Sequence, residues 1–186
     1  MKLKKSLSFA LALFFIAVFS NNIHAQTKYY KGYVVLLNGD TLNGEIRKNS
    51  KKEFDNFSKA SFKNVSGEIK TYRADKVKEY VVDGATFISR NIDGDQIFVK
   101  RLSQGSVNLY EVQVEVMQMN EIKVKSDYYM EKAAGEFVKI KSGKFKKQIV
   151  DVMGDNQEIV KGIEDKKYDY DNIVEVFNVY NKPLNN

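Results

Sequence analysis

The chain has 186 residues, of which 43% are hydrophobic and 29% charged, and its formal net charge is +6. This proportion of apolar residues is typical of a globular domain and too high for a disordered chain. The sequence has no cysteine and only one histidine, His24, which lies in the leader described next. Without these two residue types, the rest of the chain lacks the side chains for most nucleophile–base pairs and for most zinc, copper or haem sites.

Residues 1–25 have the three parts of a secretory signal peptide: a lysine-rich start, an apolar run over 7–19 and a polar stretch that ends in a small residue. We predict cleavage between Ala25 and Gln26, which leaves 26–186 as a single exported domain. A retained N-terminal anchor is the alternative, but the apolar run is shorter than the about 20 residues that a spanning helix needs. We therefore expect no transmembrane segment after cleavage.

Alternation of apolar and polar residues dominates 29–141 and predicts strands. In 112–116 (VQVEV) the valines would share one face of a sheet, and Leu42 and Ile46 are expected to point inward. The apolar run 34–37 predicts a strand that is covered on both faces. We predict ten strands, over 30–38, 41–48, 58–65, 68–73, 77–83, 85–90, 95–102, 106–117, 120–126 and 136–141.

Five pairs that end in glycine predict hairpin turns with positive φ angles. They are Asn38-Gly39, Ser66-Gly67, Asp83-Gly84, Asp93-Gly94 and Gln104-Gly105. Because the strands they join are too closely spaced for intervening helices, the sheet should be largely antiparallel. The segment 48–57, with Lys51, Lys52 and Asp55, is predicted to be an exposed loop.

The periodicity changes to that of helices over 142–182. Ser142 is a candidate N-cap and Gly154 a candidate end for a first helix, and 155–158 (DNQE) resembles a capping box for a second. Asp169 or Asp171 could cap a third. The sequence thus predicts an α+β fold, in which a largely antiparallel meander sheet of about eight to ten strands is followed by three short C-terminal helices packed on it.

Several segments resemble one protein family. The segment 32–46 (GYVVLLNGDTLNGEI) resembles the opening GYI-x-x-x-NGDT-x-x-G-x-I hairpin of a family of exported Gram-negative bacterial proteins of unknown function. The segments 105–110 (GSVNLY), 127–129 and 173–181 are also similar to parts of that family. The resemblance implies an exported α+β domain in the periplasm or at the cell surface, and it implies no activity.

Thr41 is a candidate site of modification. The sequence Asp40-Thr41-Leu42 resembles the short D-[ST]-apolar motif to which some Gram-negative bacteria attach O-glycans on exported proteins. The alternative is structural, since Asp40 and Thr41 also fit the start of a strand after a tight turn, with Gly44 as a bulge or a place of close approach.

Charge is unevenly distributed along the second half of the chain. Eight lysines and four acids lie in 121–147, whereas eight acids and three lysines lie in 151–175. A solvated surface is the ordinary explanation. The functional one is a patch that meets an anionic surface, such as an envelope glycan, a lipid or an acidic protein. Its members would be Lys139, Lys141, Lys144, Lys146 and Lys147.

Acidic residues and tyrosines allow two further interpretations. The acids at 164, 165, 169 and 171 are interpreted as helix caps and solvated loop, with a hard cation as the alternative. The tyrosine pairs at 29–30, 128–129 and 168/170 fit amphipathic packing, with a carbohydrate-binding or protein-binding surface as the alternative.

No catalytic motif, cofactor site or metal site is predicted. The sequence has no nucleophile elbow, phosphate loop or S-x-x-K motif set. We therefore expect a non-catalytic exported domain that binds a protein or an envelope glycan or lipid surface, not nucleic acid; its oligomeric state stays open. The alternative function is an envelope hydrolase that uses two carboxylates.

The intact mass of the protein recovered from the cell envelope tests both predictions about processing. We expect a chain that begins at Gln26, because Ala25 supplies the small residue before the cut. A mass above that of 26–186, removed by a Thr41→Val substitution, would show modification at Thr41. A mass equal to that of the unmodified chain would contradict the glycan hypothesis, and a retained leader would contradict cleavage.

Overall fold

A computed structural model describes residues 28–49, 53–132 and 135–182. The leader, the predicted cleavage site at Ala25 and Gln26, and Lys51 and Lys52 lie outside the described residues. Within those three ranges, none of the helices has both the length and the hydrophobicity that crossing a bilayer requires.

Ten strands and four helices make up the described structure. The strands are β1 (Tyr29–Leu36), β2 (Thr41–Arg47), β3 (Lys59–Lys63), β4 (Ile69–Arg73), β5 (Val77–Val82), β6 (Ala85–Ile92), β7 (Asp95–Ser103), β8 (Val107–Gln118), β9 (Glu121–Lys132) and β10 (Phe137–Ile140). The helices are α1 (Asp55–Ser58), α2 (Phe145–Met153), α3 (Gln157–Glu164) and α4 (Ile173–Tyr180). Short 3₁₀ turns cover Ala74–Lys76 and Ser142–Lys144.

All ten strands belong to one antiparallel sheet, in the order β10-β9-β8-β7-β6-β5-β1-β2-β3-β4. The order contains two runs of sequential hairpins, β1–β4 and β5–β10, which are joined because β5 pairs with β1. The predicted α+β fold, with an antiparallel sheet followed by three short helices, is confirmed. Within the described sheet, β1 and β5 are the one pair of neighbouring strands that are not consecutive in sequence.

Four of the five predicted glycine turns have the expected backbone. Gly39, Gly67, Gly84 and Gly94 all have positive φ angles. Gly105 was expected to behave alike, and that expectation is wrong. A side chain at this position would collide with Asn181, so the glycine provides space for a contact rather than a left-handed turn.

Asn181 connects the end of α4 to the turn between β7 and β8. Its amide nitrogen donates to the Ser103 hydroxyl at 3.0 Å and to the Val107 carbonyl at 2.9 Å, and its oxygen accepts from the Val107 N–H at 3.4 Å. One side chain therefore satisfies both backbone groups of the first residue of β8.

Two large clusters of buried apolar residues lie on different parts of the sheet. The first lies among β1–β7 and includes Val34, Ile46, Tyr80, Phe87 and Phe98. The second lies between β8–β10 and the C-terminal helices; its sheet residues are Val107, Leu109, Met130 and Ile140, and its helical residues are Phe145, Ile149, Met153, Ile159, Ile163, Ile173, Val176 and Phe177. The apolar stripes of the helices are thus buried against the sheet, as predicted.

Two predictions about the N-terminal half are wrong. The run 34–37 is not covered on both faces, because Val34 is buried while Leu37, beyond the end of β1, is 56% exposed. The segment 48–57 is not simply an exposed loop, because Asn56 and Phe57 are buried. Phe57 packs edge-on against Phe87, and the Asn56 side chain exchanges two hydrogen bonds with the backbone of Asn49.

The starts of the C-terminal helices differ in part from the predicted caps. Ser142 begins a 3₁₀ turn and does not cap α2, whose first turn has no side-chain cap. In the predicted capping box, Asn156 is the N-cap of α3 and accepts from the Ile159 N–H. Asp169 accepts from two N–H groups in the loop before α4 rather than from the helix itself.

Gly32 and Gly44 lie opposite each other on β1 and β2. A side chain at Gly44 would meet the Lys63 carbonyl and lie 2.7 Å from the Phe62 ring, and one at Gly32 would meet the Val81 carbonyl. Of the two interpretations of Gly44, close approach fits the structure, because the pairing of β1 with β2 runs through it without a shift in register.

Substitution of Gly44 by alanine should destabilise the fold. We expect the free energy of unfolding to fall by about 1–3 kcal/mol, because the added methyl group has no space beside Lys63 and Phe62. Gly143→Ala is the matched control, since nothing lies within 4 Å of a side chain there. Urea denaturation of both variants measures the effect, and equal stabilities would contradict the close-approach interpretation.

Candidate binding groove

A groove of about 990 Å³ opens at the surface of the helical end of the molecule. It lies between the start of α2, the end of α3 and the loop that leads to α4. We call it the helical groove. Its lining residues are Ser142, Gly143, Lys144, Phe145, Lys146, Lys147, Val150, Asp151, Ile163, Lys166, Tyr168, Asp169, Tyr170 and Asp171.

Aromatic and aliphatic side chains form the floor of the helical groove. Phe145, Ile163 and Tyr168 belong to the apolar cluster beneath the helices and are almost fully buried. Tyr170 is half-buried, with its ring edge-on to Phe145 at 6.3 Å and to Tyr128 at 5.5 Å. Burial, together with the charge of nearby Asp127, raises the pKa of Tyr170, so its hydroxyl stays protonated at neutral pH. The floor of the groove is therefore aromatic and aliphatic, and the Tyr170 hydroxyl in it is uncharged.

Lysines from the beginning of α2 form one rim. Lys144, Lys146 and Lys147 are exposed, and no acidic side chain of the described residues lies within ion-pair distance of them. They lie at the positive end of the helix dipole, where cations are unfavourable. Their charges therefore do not stabilise α2 and are available to a ligand.

Acidic residues from the loop before α4 form another rim. Asp169 and Asp171 line the same groove as the three lysines, together with Lys166 and with Asp151, which lies on α2 itself. One oxygen of Asp169 is already used by the loop, since it accepts from the N–H groups of Asp171 and Asn172. The fold thus brings a basic and an acidic stretch of sequence to one groove.

The remaining two lysines of the predicted patch do not line this groove. Lys139 lies on β10 and donates to the carboxylate of Asp127 at 2.5 Å. That hydrogen bond raises the pKa of Lys139. Lys141 is exposed just beyond β10, and its backbone N–H donates to Gln148 of α2. The structure therefore separates the five predicted lysines. Lys144, Lys146 and Lys147 line the groove, Lys139 is in an ion pair with Asp127, and Lys141 is exposed outside the groove lining.

Thr41 lies at the first position of β2 and is exposed. The turn before it is ordered by Asn38, whose side chain donates to the Asp40 carboxylate at 2.6 Å and accepts from the Asp40 N–H. The hydroxyl is therefore at an accessible place on an ordered turn, which both the structural and the modification hypotheses allow.

The tyrosine pairs differ in what they contact. Tyr29 and Tyr30 lie near the ammonium groups of Lys63 and Lys48, at 5.2 and 5.9 Å from the ring centres. Tyr129 is buried and stacks on Phe137 with ring centres 5.0 Å apart. Of the pairs named from the sequence, only Tyr168 and Tyr170 line the helical groove.

Two acidic side chains, Glu53 and Glu111, lie beside the same lysine, Lys100. Lys100 lies 2.8 Å from a Glu53 oxygen and 3.8 Å from a Glu111 oxygen. The hydrogen bond from Lys100 lowers the pKa of Glu53. A glycosidase of the two-carboxylate type needs one carboxyl group to stay protonated, which requires a raised pKa.

Among the described residues, no group of three or more acidic side chains could hold a metal ion.

Glu131 is at the centre of a half-buried polar network that joins β6, β8 and β9. It accepts from Arg90 at 2.8 Å and from the Tyr110 hydroxyl at 2.6 Å, with Asn108 at 3.4 Å. Burial opposes ionisation of Glu131, but these donors outweigh it and lower its pKa. Burial and the bond to Glu131 raise the pKa of Tyr110 to about 12. Sequence reasoning missed this network because its members are up to 41 residues apart.

Comparisons of the chain with family models, with curated proteins and with solved structures found no match.

Substitution of Glu131 by glutamine should destabilise the fold in a pH-dependent way. At neutral pH we expect the free energy of unfolding to fall by about 1–3 kcal/mol, because Arg90 loses its charged partner. The folded-state pKa of Glu131 lies below its ordinary value of 4.5, so this stabilisation is present above that pH and is lost as the pH falls through the folded pKa. Urea denaturation across this pH range measures the difference between wild type and Glu131→Gln.

The control for this experiment is Glu136→Gln, which removes an exposed ion pair with Lys132. Its effect should be small at every pH, since exposed pairs contribute little. A Glu131→Gln effect that is independent of pH would show that the carboxylate charge does not stabilise the network.

Proposed function

We propose that this protein is an exported, non-catalytic domain that binds an anionic component of the cell envelope or an acidic protein in the helical groove. The signal-peptide pattern of 1–25 and the resemblance of 32–46 to exported Gram-negative proteins support a location in the periplasm or at the cell surface. The resemblance also supports membership of that family, and it implies no activity.

The three lysines of the groove rim carry the proposal. Lys144, Lys146 and Lys147 are exposed, they form no ion pair within 28–49, 53–132 and 135–182, and they lie beside a floor that contains Phe145 and Tyr170. Lysines without partners attract anions, and aromatic rings offer a flat apolar surface to a sugar ring or an acyl chain. The combination suits a ligand that carries an anionic group next to an apolar face.

The acidic rim restricts which anions fit. A ligand that reaches from the lysines of α2 to the loop before α4 would meet Asp169 and Asp171. A ligand with negative charge along its whole width would be repelled there, whereas one with charge on one side would not. This supports an acidic headgroup, glycan unit or peptide side chain over a broad polyanion such as nucleic acid.

The hydrolase alternative has less support. Glu53, beside Lys100, and Glu131, beside Arg90, have lowered pKa values and are held ionised by these basic partners. A general acid for glycoside hydrolysis requires the reverse.

Replacement of Lys144, Lys146 and Lys147 by glutamine should strongly weaken binding to anionic surfaces. We expect affinity for vesicles that contain phosphatidylglycerol to fall by roughly a hundredfold, because each lysine near such a surface contributes about 1 kcal/mol. A neutral oligosaccharide that ends in one galacturonate and a peptide with a single glutamate, measured in parallel, distinguish a lipid headgroup from an acidic glycan or protein. Binding of the wild type should weaken steeply with added salt.

The matched control removes the same charge elsewhere, by Lys59→Gln, Lys70→Gln and Lys78→Gln in exposed parts of the sheet. It should leave binding nearly unchanged. The groove variant should also unfold at the same or a higher denaturant concentration than the wild type, because lysines at the start of α2 oppose the helix dipole. No binding to any of the three probes, or equal losses in both variants, would refute the proposal.

A further inference from the structure

The outer halves of β8 and β9 extend beyond the rest of the sheet. The pairing of β7 with β8 ends at Glu111, and that of β10 with β9 ends at Tyr128. Among the described residues, 112–118 and 121–127 pair only with each other. We call these two segments and their turn the ribbon arm; at about 3.3 Å per residue it is about 20 Å long.

One side of the ribbon arm presents apolar side chains to solvent. Met117 is 78% exposed, Ile122 67% and Val124 55%, and Met119 in the turn is 92% exposed. Met117 and Ile122 are directly paired, and Val124 follows on the same face two residues later. A contiguous exposed apolar patch of this kind marks an interaction site.

The hydrogen-bonding pattern of the arm leaves one edge of β9 open. The hairpin has a two-residue turn, Met119-Asn120, with both φ angles positive. Hydrogen-bonded and non-hydrogen-bonded pairs alternate from such a turn, so Ile122, Val124 and Ser126 direct their N–H and C=O groups away from β8. Tyr128, the next residue in this series, uses its outward side to pair with β10. The open edge therefore continues the line along which β10 already binds.

Charges on the other face of β9 select what this edge can accept. Lys123 and Lys125 lie between Glu121 and Asp127 on that face. If two copies of β9 paired antiparallel about Val124, Lys123 would face Lys125, and Glu121 would face Asp127. A shift of the register by two residues places one lysine opposite itself and the other opposite Glu121 or Asp127 of the second copy. Because Glu121 and Asp127 are six residues apart, no antiparallel register of two copies places an acid opposite both lysines. A partner strand with acidic residues two positions apart does so, and it avoids the repulsion between lysines.

We propose that the outer edge of β9 in the ribbon arm binds an extended segment of a partner protein as an added strand, with apolar residues opposite Ile122 and Val124 and acidic residues opposite Lys123 and Lys125. Strand addition supplies main-chain hydrogen bonds to the open edge, and the alternating side chains supply specificity. This site is separate from the helical groove and does not depend on the function proposed for it.

The probe is a synthetic peptide of alternating valine and glutamate, compared with one in which lysine replaces glutamate. The valine–glutamate peptide should bind, and the valine–lysine peptide should not. Val124→Pro removes an outward N–H without removing a hydrogen bond of the hairpin, so we expect affinity to fall by roughly tenfold or more. Glu115→Pro is the matched control, because it makes the same change on the outer edge of β8 and should leave binding intact.

A charge-reversed variant tests the same edge without a proline substitution, so its result does not depend on disruption of the strand backbone. Lys123→Glu with Lys125→Glu should reverse the preference, so that the valine–lysine peptide binds and the valine–glutamate peptide does not. Circular dichroism and chemical shifts of the sheet check that each variant is folded. The glutamine variant of the groove lysines should bind the valine–glutamate peptide like the wild type, which separates the two sites.

Four outcomes would overturn the proposal. These are no binding of the valine–glutamate peptide by the wild type, equal losses in Val124→Pro and Glu115→Pro, dimerisation in sedimentation that Val124→Pro abolishes, and binding to phosphatidylethanolamine vesicles that Met119→Ser abolishes. The third would assign the edge to a second copy of the chain, and the fourth would assign the arm to a membrane surface.

Discussion

The burial of three short helices against β8–β10 is the interaction on which the C-terminal half depends. Helices of eight or nine residues are too short to persist in water, so α2, α3 and α4 exist because their apolar stripes pack on Leu109, Met130 and neighbouring residues. The helical groove is formed where these helices meet around Phe145 and Ile163. Its lysines and acids keep fixed positions only as long as that packing holds.

The same face of β8 and β9 has two different environments along its length. Near the base it is covered by the helices, at Leu109 and Met130; beyond Gln113 and Ser126 it is exposed and ends at Met117 and Ile122. Because side chains alternate between faces, the exposed apolar residues of the ribbon arm lie on the same face as these core residues, with polar residues between them. The protein therefore has one sheet with a self-covered portion and an uncovered portion.

The sequence predicted most of the local features of the sheet and few of the long-range ones. Alternation and X-Gly turns predicted ten strands in the right places, since both signals arise within a few residues. They did not predict that β9 continues to Lys132, because 127–132 does not alternate, nor that β5 pairs with β1. Burial of Asn56 and Phe57 was missed because it depends on contacts with Phe87 and Tyr80, more than 20 residues away.

In the candidate site, too, local clustering was predicted from the sequence and long-range contacts were not. Lys144, Lys146 and Lys147 were predicted as part of an anionic-surface patch from their clustering, but their approach to Asp169 and Asp171 required the fold. Lys139 was predicted as part of the same patch, but strand pairing places it in an ion pair with Asp127. The open edge of β9 was not predicted, because it depends on where the neighbouring strand β10 ends.

The contact of Asn181 with Ser103 and Val107 has a consequence for biosynthesis. Asn181 is synthesised 74 to 78 positions after the residues that it contacts. The sheet can begin to form while the chain is still growing, but these hydrogen bonds cannot form until Asn181 has emerged. A nascent chain, or one truncated before Asn181, would therefore carry the turn between β7 and β8 without them.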